Sequence, residues 1–122
     1  MKVKQEKAVQ AYITILAIGK RPLNSFAAFK LFKLKKALQD SFEFQRQEED
    51  KYIAEFEGVK NDNGSVNFPD SEKTKAFKQK QKELDEVEQD IAIDRMMFTL
   101  KELPELSIEQ IEILDTFIEI RE

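Results

Sequence analysis

The stretch from Asn24 to Glu57 constrains the fold most, because its apolar residues repeat with the period of an α-helix. On one helix of this length, leucines and aromatic residues share a narrow stripe that returns after a polar gap. The stripe consists of Ala27, Leu31, Leu34, Leu38, Phe42, Tyr52 and Phe56. We therefore predict a single long helix whose stripe faces the core.

Phe26, Phe29 and Phe32 recur every three residues on the opposite side of the first half of this helix. If the leucine stripe faces the core, these rings point away from it. The first half of the helix therefore needs cover on two sides, whereas the second half needs it on one. We expect the rest of the chain to supply that cover.

Composition favours one mainly α domain with a few short β-strands. The chain has 122 residues, of which 36% are charged, and it has only three glycines and three prolines. This composition suits helices and argues against a sandwich or barrel with many turns. A chain of this length is large enough for one modest core.

Two further helices are predicted from helical spacing around the long one. The first runs from about Gln5 to Ile18, and Gly19 is placed to end it in a left-handed conformation. The other begins at Asp70 or Ser71 and runs back to about residue 90. Its apolar seam has roughly heptad spacing. The seam consists of Phe77, Leu84, Val87 and Ile91.

A polar gap predicts where the long helix leaves the globular body. Residues 45 to 51 have no apolar side chain. We expect the helix to continue there as one half of an antiparallel, coiled-coil-like arm, because a lone helix could not bury Tyr52 and Phe56. The base then comprises residues 1–44 and 91–122, and the arm comprises residues 45–90 with a tip loop at 58–69. Asn63-Gly64 in the tip favours a β-hairpin with a two-residue turn.

The two ends of the chain show weaker patterns. Residues 1–4 alternate apolar and charged side chains and could add a short strand, and residues 91–100 change period as in a kinked or bulged strand. Ser107 and Gln110 have the spacing of a capping box, which predicts a last helix. The side chains expected to be buried there are Ile111, Leu114 and Phe117 or Ile118.

The sequence has few of the residue types that usually carry out catalysis. The chain has no histidine and no cysteine, so the commonest general base, the commonest metal ligand and the best nucleophile are missing. Its carboxylates lie in runs that we interpret as solvated helix faces. Asn61–Gly64 does not match a calcium loop, because Asp70 falls where that loop needs its bidentate glutamate. We expect a protein that is not an enzyme and uses no cofactor or metal.

Cysteine usage and hydropathy bear on the compartment. The lack of cysteine rules out disulfides and makes a reducing cytoplasm the default expectation. The longest apolar run, Ala11 to Ile18, is too short to span a bilayer. We therefore expect a cytoplasmic chain without a membrane partner.

Charge is distributed unevenly along the chain. Residues 1–36 have nine Lys or Arg and one acid, which gives +8, while residues 37–122 have eleven against 23, which gives −12. The overall charge of −4 therefore hides a basic region that could form a binding face. Its cations in residues 20–36 alternate with the three phenylalanines. They are Lys20, Arg21, Lys30, Lys33, Lys35 and Lys36.

This Phe and Lys pattern has two interpretations. In a nucleic-acid-binding protein, the lysines would contact phosphates and exposed rings would stack on bases. In the alternative, the rings belong to the core and the lysine stems surround them. We favour the second interpretation, because the first and last helices need a surface on which to pack.

The predicted partner is therefore another protein, with nucleic acid as the less favoured alternative. A homodimer is a further possibility, because the two halves of the arm bury few large side chains for their length. Candidate partner-binding residues come from both the basic region and the arm. They are Lys20, Arg21, Lys30, Lys33, Lys36, Tyr52, Phe56, Phe77 and Leu84.

The order of motifs from residue 23 to residue 119 resembles a group of small uncharacterised proteins of tailed phages and prophages. The motifs are Phe68-Pro69-Asp70, the helix ending Leu84 to Ile91, the segment Ile93 to Leu103, and Leu106-Ser107 leading into Ile113 to Glu119. A Lys-rich long helix and a loop of Asp, Asn and Gly precede them. The resemblance implies a phage origin and a helical hairpin, with no catalytic signature. We therefore expect protein binding in virion assembly or in modulating a host factor.

Overall fold

Helix α1 (Gln5–Ile18) and helix α2 (Ser25–Glu55) pack along each other in the computed structural model, which describes residues 1–122. The chain is mainly helical, as predicted. The other elements are β1 (Lys2–Lys4), β2 (Val59–Lys60), β3 (Val66–Asn67), α3 (Ser71–Asp85), β4 (Glu88–Asp90), β5 (Met96–Thr99), a 3-10 turn (Leu100–Glu102), α4 (Ile108–Leu114) and β6 (Ile118–Arg121).

Helix α2 forms as its sequence pattern predicts. The Asn24 side chain caps it by accepting a hydrogen bond from the Ala27 N–H at 2.9 Å. The leucine stripe is buried from Ala27 to Leu38, and Gln45 is the last buried residue of the helix. The expected division into a base and an arm beyond this point stays a prediction. Helix α3 packs on both α1 and α2.

The returning helix is shorter than predicted. It was expected to reach about residue 90, but α3 ends at Asp85 and residues 88–90 pair with β1 in an antiparallel ladder. Opposite charges face each other in this ladder, with Lys4 opposite Glu88. Pairing with the start of the chain therefore overrides the helical spacing of Val87 and Ile91.

The C-terminal segment differs most from the prediction. The expected strand over residues 91–100 is confined to β5, and β5 pairs in parallel with β6, which was not predicted. Phe98, Phe117 and Ile118 are fully buried, so this small sheet completes the core. Helix α4 has the predicted capping box at Ser107, but Ile111 is exposed rather than buried.

Two turns also differ from their predictions. Gly19 ends α1 with φ −66°, so it is right-handed rather than left-handed. The tip hairpin forms, but Asn61 and Ser65 still pair across it, which leaves a three-residue loop. Only Gly64 has a positive φ there, at 86°. The hairpin therefore has a three-residue loop with a G1 β-bulge at Gly64, rather than the predicted two-residue turn.

No helix of this fold combines the length and apolarity that crossing a membrane requires.

Replacing Leu34 by alanine tests the packing of α1 on α2. Leu34 is fully buried in the stripe. We expect Leu34→Ala to lower the free energy of unfolding by about 2–5 kcal/mol, because it leaves a cavity in a close-packed core. Urea denaturation measures this. The exposed Val59→Ala is the control and should change stability by no more than about 0.5 kcal/mol; similar losses in both variants would contradict the assignment of the core.

Candidate binding surface

Three phenylalanine rings on the outer side of α2 lie in solvent. The exposed fractions are 79% for Phe26, 58% for Phe29 and 56% for Phe32. The interpretation that these rings belong to the core is therefore wrong. The reason is that α1 packs on the leucine stripe on the other side of α2, and α4 packs mainly on α1.

Lysines lie among these rings. The Lys33 ammonium lies 4.7 Å from the centroid of the Phe29 ring, a cation–π distance. Neither Lys33 nor Lys36 forms an ion pair within the chain. We call Phe26, Phe29, Phe32, Lys33 and Lys36 the Phe/Lys face.

A groove between α1 and α2 adjoins the Phe/Lys face. It has a volume of about 510 Å³ and is lined mainly by apolar side chains, including Leu16, Leu31 and Phe32. Lys20 and Lys35 also line it, and neither has an acidic partner. Phe32 belongs to both the groove and the face, so the two form one surface. A mainly apolar groove with a few charged groups is the usual form of a binding site.

Two of the predicted cations already have partners in the chain. The Lys30 ammonium donates to the Met97 carbonyl oxygen and pairs with the Glu102 carboxylate, both at 2.9 Å. This hydrogen bond holds the pKa of Glu102 below its usual range. The Arg21 guanidinium donates to the Glu105 carbonyl oxygen at 2.6 Å. Both side chains attach the C-terminal segment to the helices, so they are less available to a ligand than Lys20, Lys33 and Lys36.

The predicted residues of the arm lie apart from the Phe/Lys face. Tyr52 and Phe56 are half-buried near the other end of α2, and the 20 residues from Phe32 to Tyr52 span about 30 Å of helix. Phe77 and Leu84 are buried, with the Phe77 ring 4.9 Å from that of Phe68. These two side chains pack inside the chain and offer no surface to a partner.

A group of acidic residues between three helices was not evident from the sequence. Asp85 at the end of α3 has a raised pKa, because burial removes hydration and Glu6 and Glu49 repel its charge. The neighbouring Gln45 side chain is buried and donates to Glu49 at 2.7 Å. No sequence signal could have indicated this group, since its members come from α1, α2 and α3.

This acidic group offers no evident reaction site. Glu49 lines a groove of about 320 Å³ together with Asp50 and Lys60, but Asp85 is not part of it. Nowhere do three acidic side chains come together in an arrangement that could hold a metal ion. The Phe/Lys face is therefore the stronger candidate for function.

No protein-family model, curated protein or solved structure matches this chain. The resemblance to phage proteins therefore stays an expectation. The surface has to be interpreted from its own chemistry, which is the exposure of the rings, the unpaired lysines and the groove beside them.

Replacing Asp85 by asparagine tests the acidic group. A raised pKa means that the folded state favours the protonated carboxyl. The stability that the protonated Asp85 carboxyl contributes is therefore present below pH 3.8, the ordinary pKa of an aspartate. It is lost as pH rises through the pKa of Asp85 in the folded state. We expect Asp85→Asn to raise the free energy of unfolding at pH 7, and this gain should vanish near pH 3. Urea denaturation at both pH values measures it.

The exposed Asp94→Asn provides the control and should show no such pH-dependent gain. A gain for Asp85→Asn that is the same at both pH values would show that charge is not the cause.

Proposed function

We propose that this chain is a non-enzymatic protein-binding protein whose Phe/Lys face and adjoining groove take an acidic amphipathic segment of a partner. The observation that carries the proposal is the exposure of three phenylalanine rings beside lysines that have no acidic partner. The groove extends the apolar part of this surface.

The rings provide the apolar part of the interaction. Phe26, Phe29 and Phe32 are neighbours at three-residue spacing on one helix. Burying a phenylalanine side chain is worth about 1.5–3 kcal/mol, and contiguous apolar patches on a surface mark interaction sites. A partner with leucine or isoleucine side chains at helical spacing would gain this energy by covering the rings.

The lysines set the charge of the partner. Four of them border the rings and the groove, and none is neutralised within the chain. They are Lys20, Lys33, Lys35 and Lys36. Carboxylates on the partner would complement them, and such complementarity raises association rates and excludes basic competitors.

Nucleic acid is the second candidate, because exposed rings interleaved with lysines could stack on bases and contact phosphates. Two observations favour a protein instead. Arg21 and Lys30 are engaged within the chain and are therefore less available to phosphates. The groove beside Phe32 is mainly apolar, which suits aliphatic side chains better than a phosphate backbone.

The biological setting is part of the same proposal. The motif order resembles that of small phage proteins, so the partner would be a virion protein under assembly or a host factor under phage control. Such a protein works by occupying a surface and needs no catalytic group.

Binding of designed amphipathic peptides tests this proposal. A set of labelled helical peptides with leucine on one side and glutamate on the other should raise fluorescence anisotropy when the protein is added. Lys33→Glu combined with Lys36→Glu should weaken binding at least about tenfold, since two attractive charges become repulsive. The control is Lys78→Glu with Lys82→Glu, which makes the same charge change on exposed positions of α3.

Peptides with lysine in place of glutamate should not bind. Failure of every acidic peptide to bind would contradict the proposal. Tight binding of a single-stranded oligonucleotide, steeply weakened by salt and lost in the Lys33 and Lys36 variant, would instead favour the nucleic-acid function.

A further inference from the structure

We propose that a second copy of this chain docks on the Phe/Lys face through the outer side of its α4, forming a two-fold dimer. This inference rests on the proposed function, since it names a partner for the same surface. It follows from three features of the chain: an acidic apolar face on α4, its complementarity to the Phe/Lys face, and the attachment of the segment before α4 to α2 and to the loop before it.

The outer side of α4 has the chemistry that the Phe/Lys face requires. Ile108 is 77% exposed and Ile111 is 41% exposed, at three-residue spacing on one side of the helix. Glu109 and Glu112 follow them, also exposed. Leu114 is the only buried residue of this helix, so most of its surface has no partner.

A shallow groove beside α4 could receive a ring of the partner chain. It has a volume of about 270 Å³, and its lining includes Ile111, Leu106 and Leu100. Leu100 is itself mostly exposed, so the apolar surface continues past the groove. An exposed phenylalanine of a second copy would find apolar contacts on several sides there.

The charges of the two faces are opposite. Glu105, Glu109 and Glu112 are exposed and have no ion pair within the chain. Lys33 and Lys36 are likewise unpaired. Each face therefore provides apolar side chains together with charges opposite to those of the other face. The segments of +8 and −12 in the sequence thus meet between copies rather than only within one.

The segment that leads into α4 is attached to α2 and to the loop before it. The Arg21 guanidinium, in the loop between α1 and α2, donates to the Glu105 carbonyl oxygen just before α4. Lys30 pairs with Glu102, and α4 packs on α1. In the proposed dimer, a two-fold rotation places each face of one copy on the complementary face of the other. Such an interface closes on itself, which gives a dimer rather than a filament.

The proposed dimer contact differs from the one that the sequence predicted. The arm was expected to supply the contact, but its large seam residues Phe77 and Leu84 are already buried within one chain. Large exposed apolar side chains lie instead at the Phe/Lys face and on α4.

A charge swap between copies tests the inference. Light scattering coupled to gel filtration should give a mass near twice the 14.3 kDa chain. Two charge-reversed proteins should each be monomeric: Glu109→Lys with Glu112→Lys, and Lys33→Glu with Lys36→Glu. Mixed in equal amounts, they should form a heterodimer, because each reversed face then meets its complement. Circular dichroism checks that each variant is folded.

The control is Glu55→Lys with Glu72→Lys, which makes the same charge change on exposed positions of the arm and should stay dimeric. A monomer at high micromolar concentration would overturn the inference. So would a dimer that survives both reversals, or two monomeric variants that fail to combine.

Peptide binding separates this inference from the proposed function. If the protein is monomeric but binds acidic peptides through Lys33 and Lys36, the inference fails and the proposed function stands. If the charge swap restores a dimer but no acidic peptide binds, the inference stands and the face serves self-association alone. If neither occurs, both fail.

Discussion

The packing of α1 on the leucine stripe of α2 is the interaction on which the rest of the structure depends. Ala8 and Ala11 of α1 and Ala27 of α2 are fully buried, and such small side chains let two helices approach closely. Farther along, the Tyr12 and Phe42 rings stack with centroids 4.4 Å apart. The C-terminal segment then adds Phe98 and Phe117 to the core that this pair begins.

One consequence of this packing is that α2 is covered on one side only. A helix with apolar residues on both sides would ordinarily be buried on both. Here the C-terminal segment reaches α2 at Lys30, which bonds to Met97 and Glu102, and does not extend over Phe29 or Phe32. The apolar outer side therefore remains a surface, and lysines without acidic partners border it.

The sequence predicts well the elements whose signals are local. The bounds of α1, the start of α2 and the Ser107 capping box each depend on residues within a few positions of one another. It fails where partners are distant, since β4 pairs with β1 across more than 80 residues and replaces the predicted end of α3. For the candidate site, the spacing of Phe26, Phe29 and Phe32 predicts which side of α2 they occupy, but nothing local determines whether another segment covers them.

We infer from their exposure that the three rings form a surface and contribute little to the stability of the fold. Replacing Phe26, Phe29 and Phe32 together by glutamine tests it most directly, with urea unfolding of dilute protein so that association does not contribute. We expect a free energy of unfolding within about 1 kcal/mol of that of the unmodified chain, because exposed side chains add little stability. A loss of about 5 kcal/mol or more, the scale of removing core phenylalanines, would instead show that the rings belong to the core.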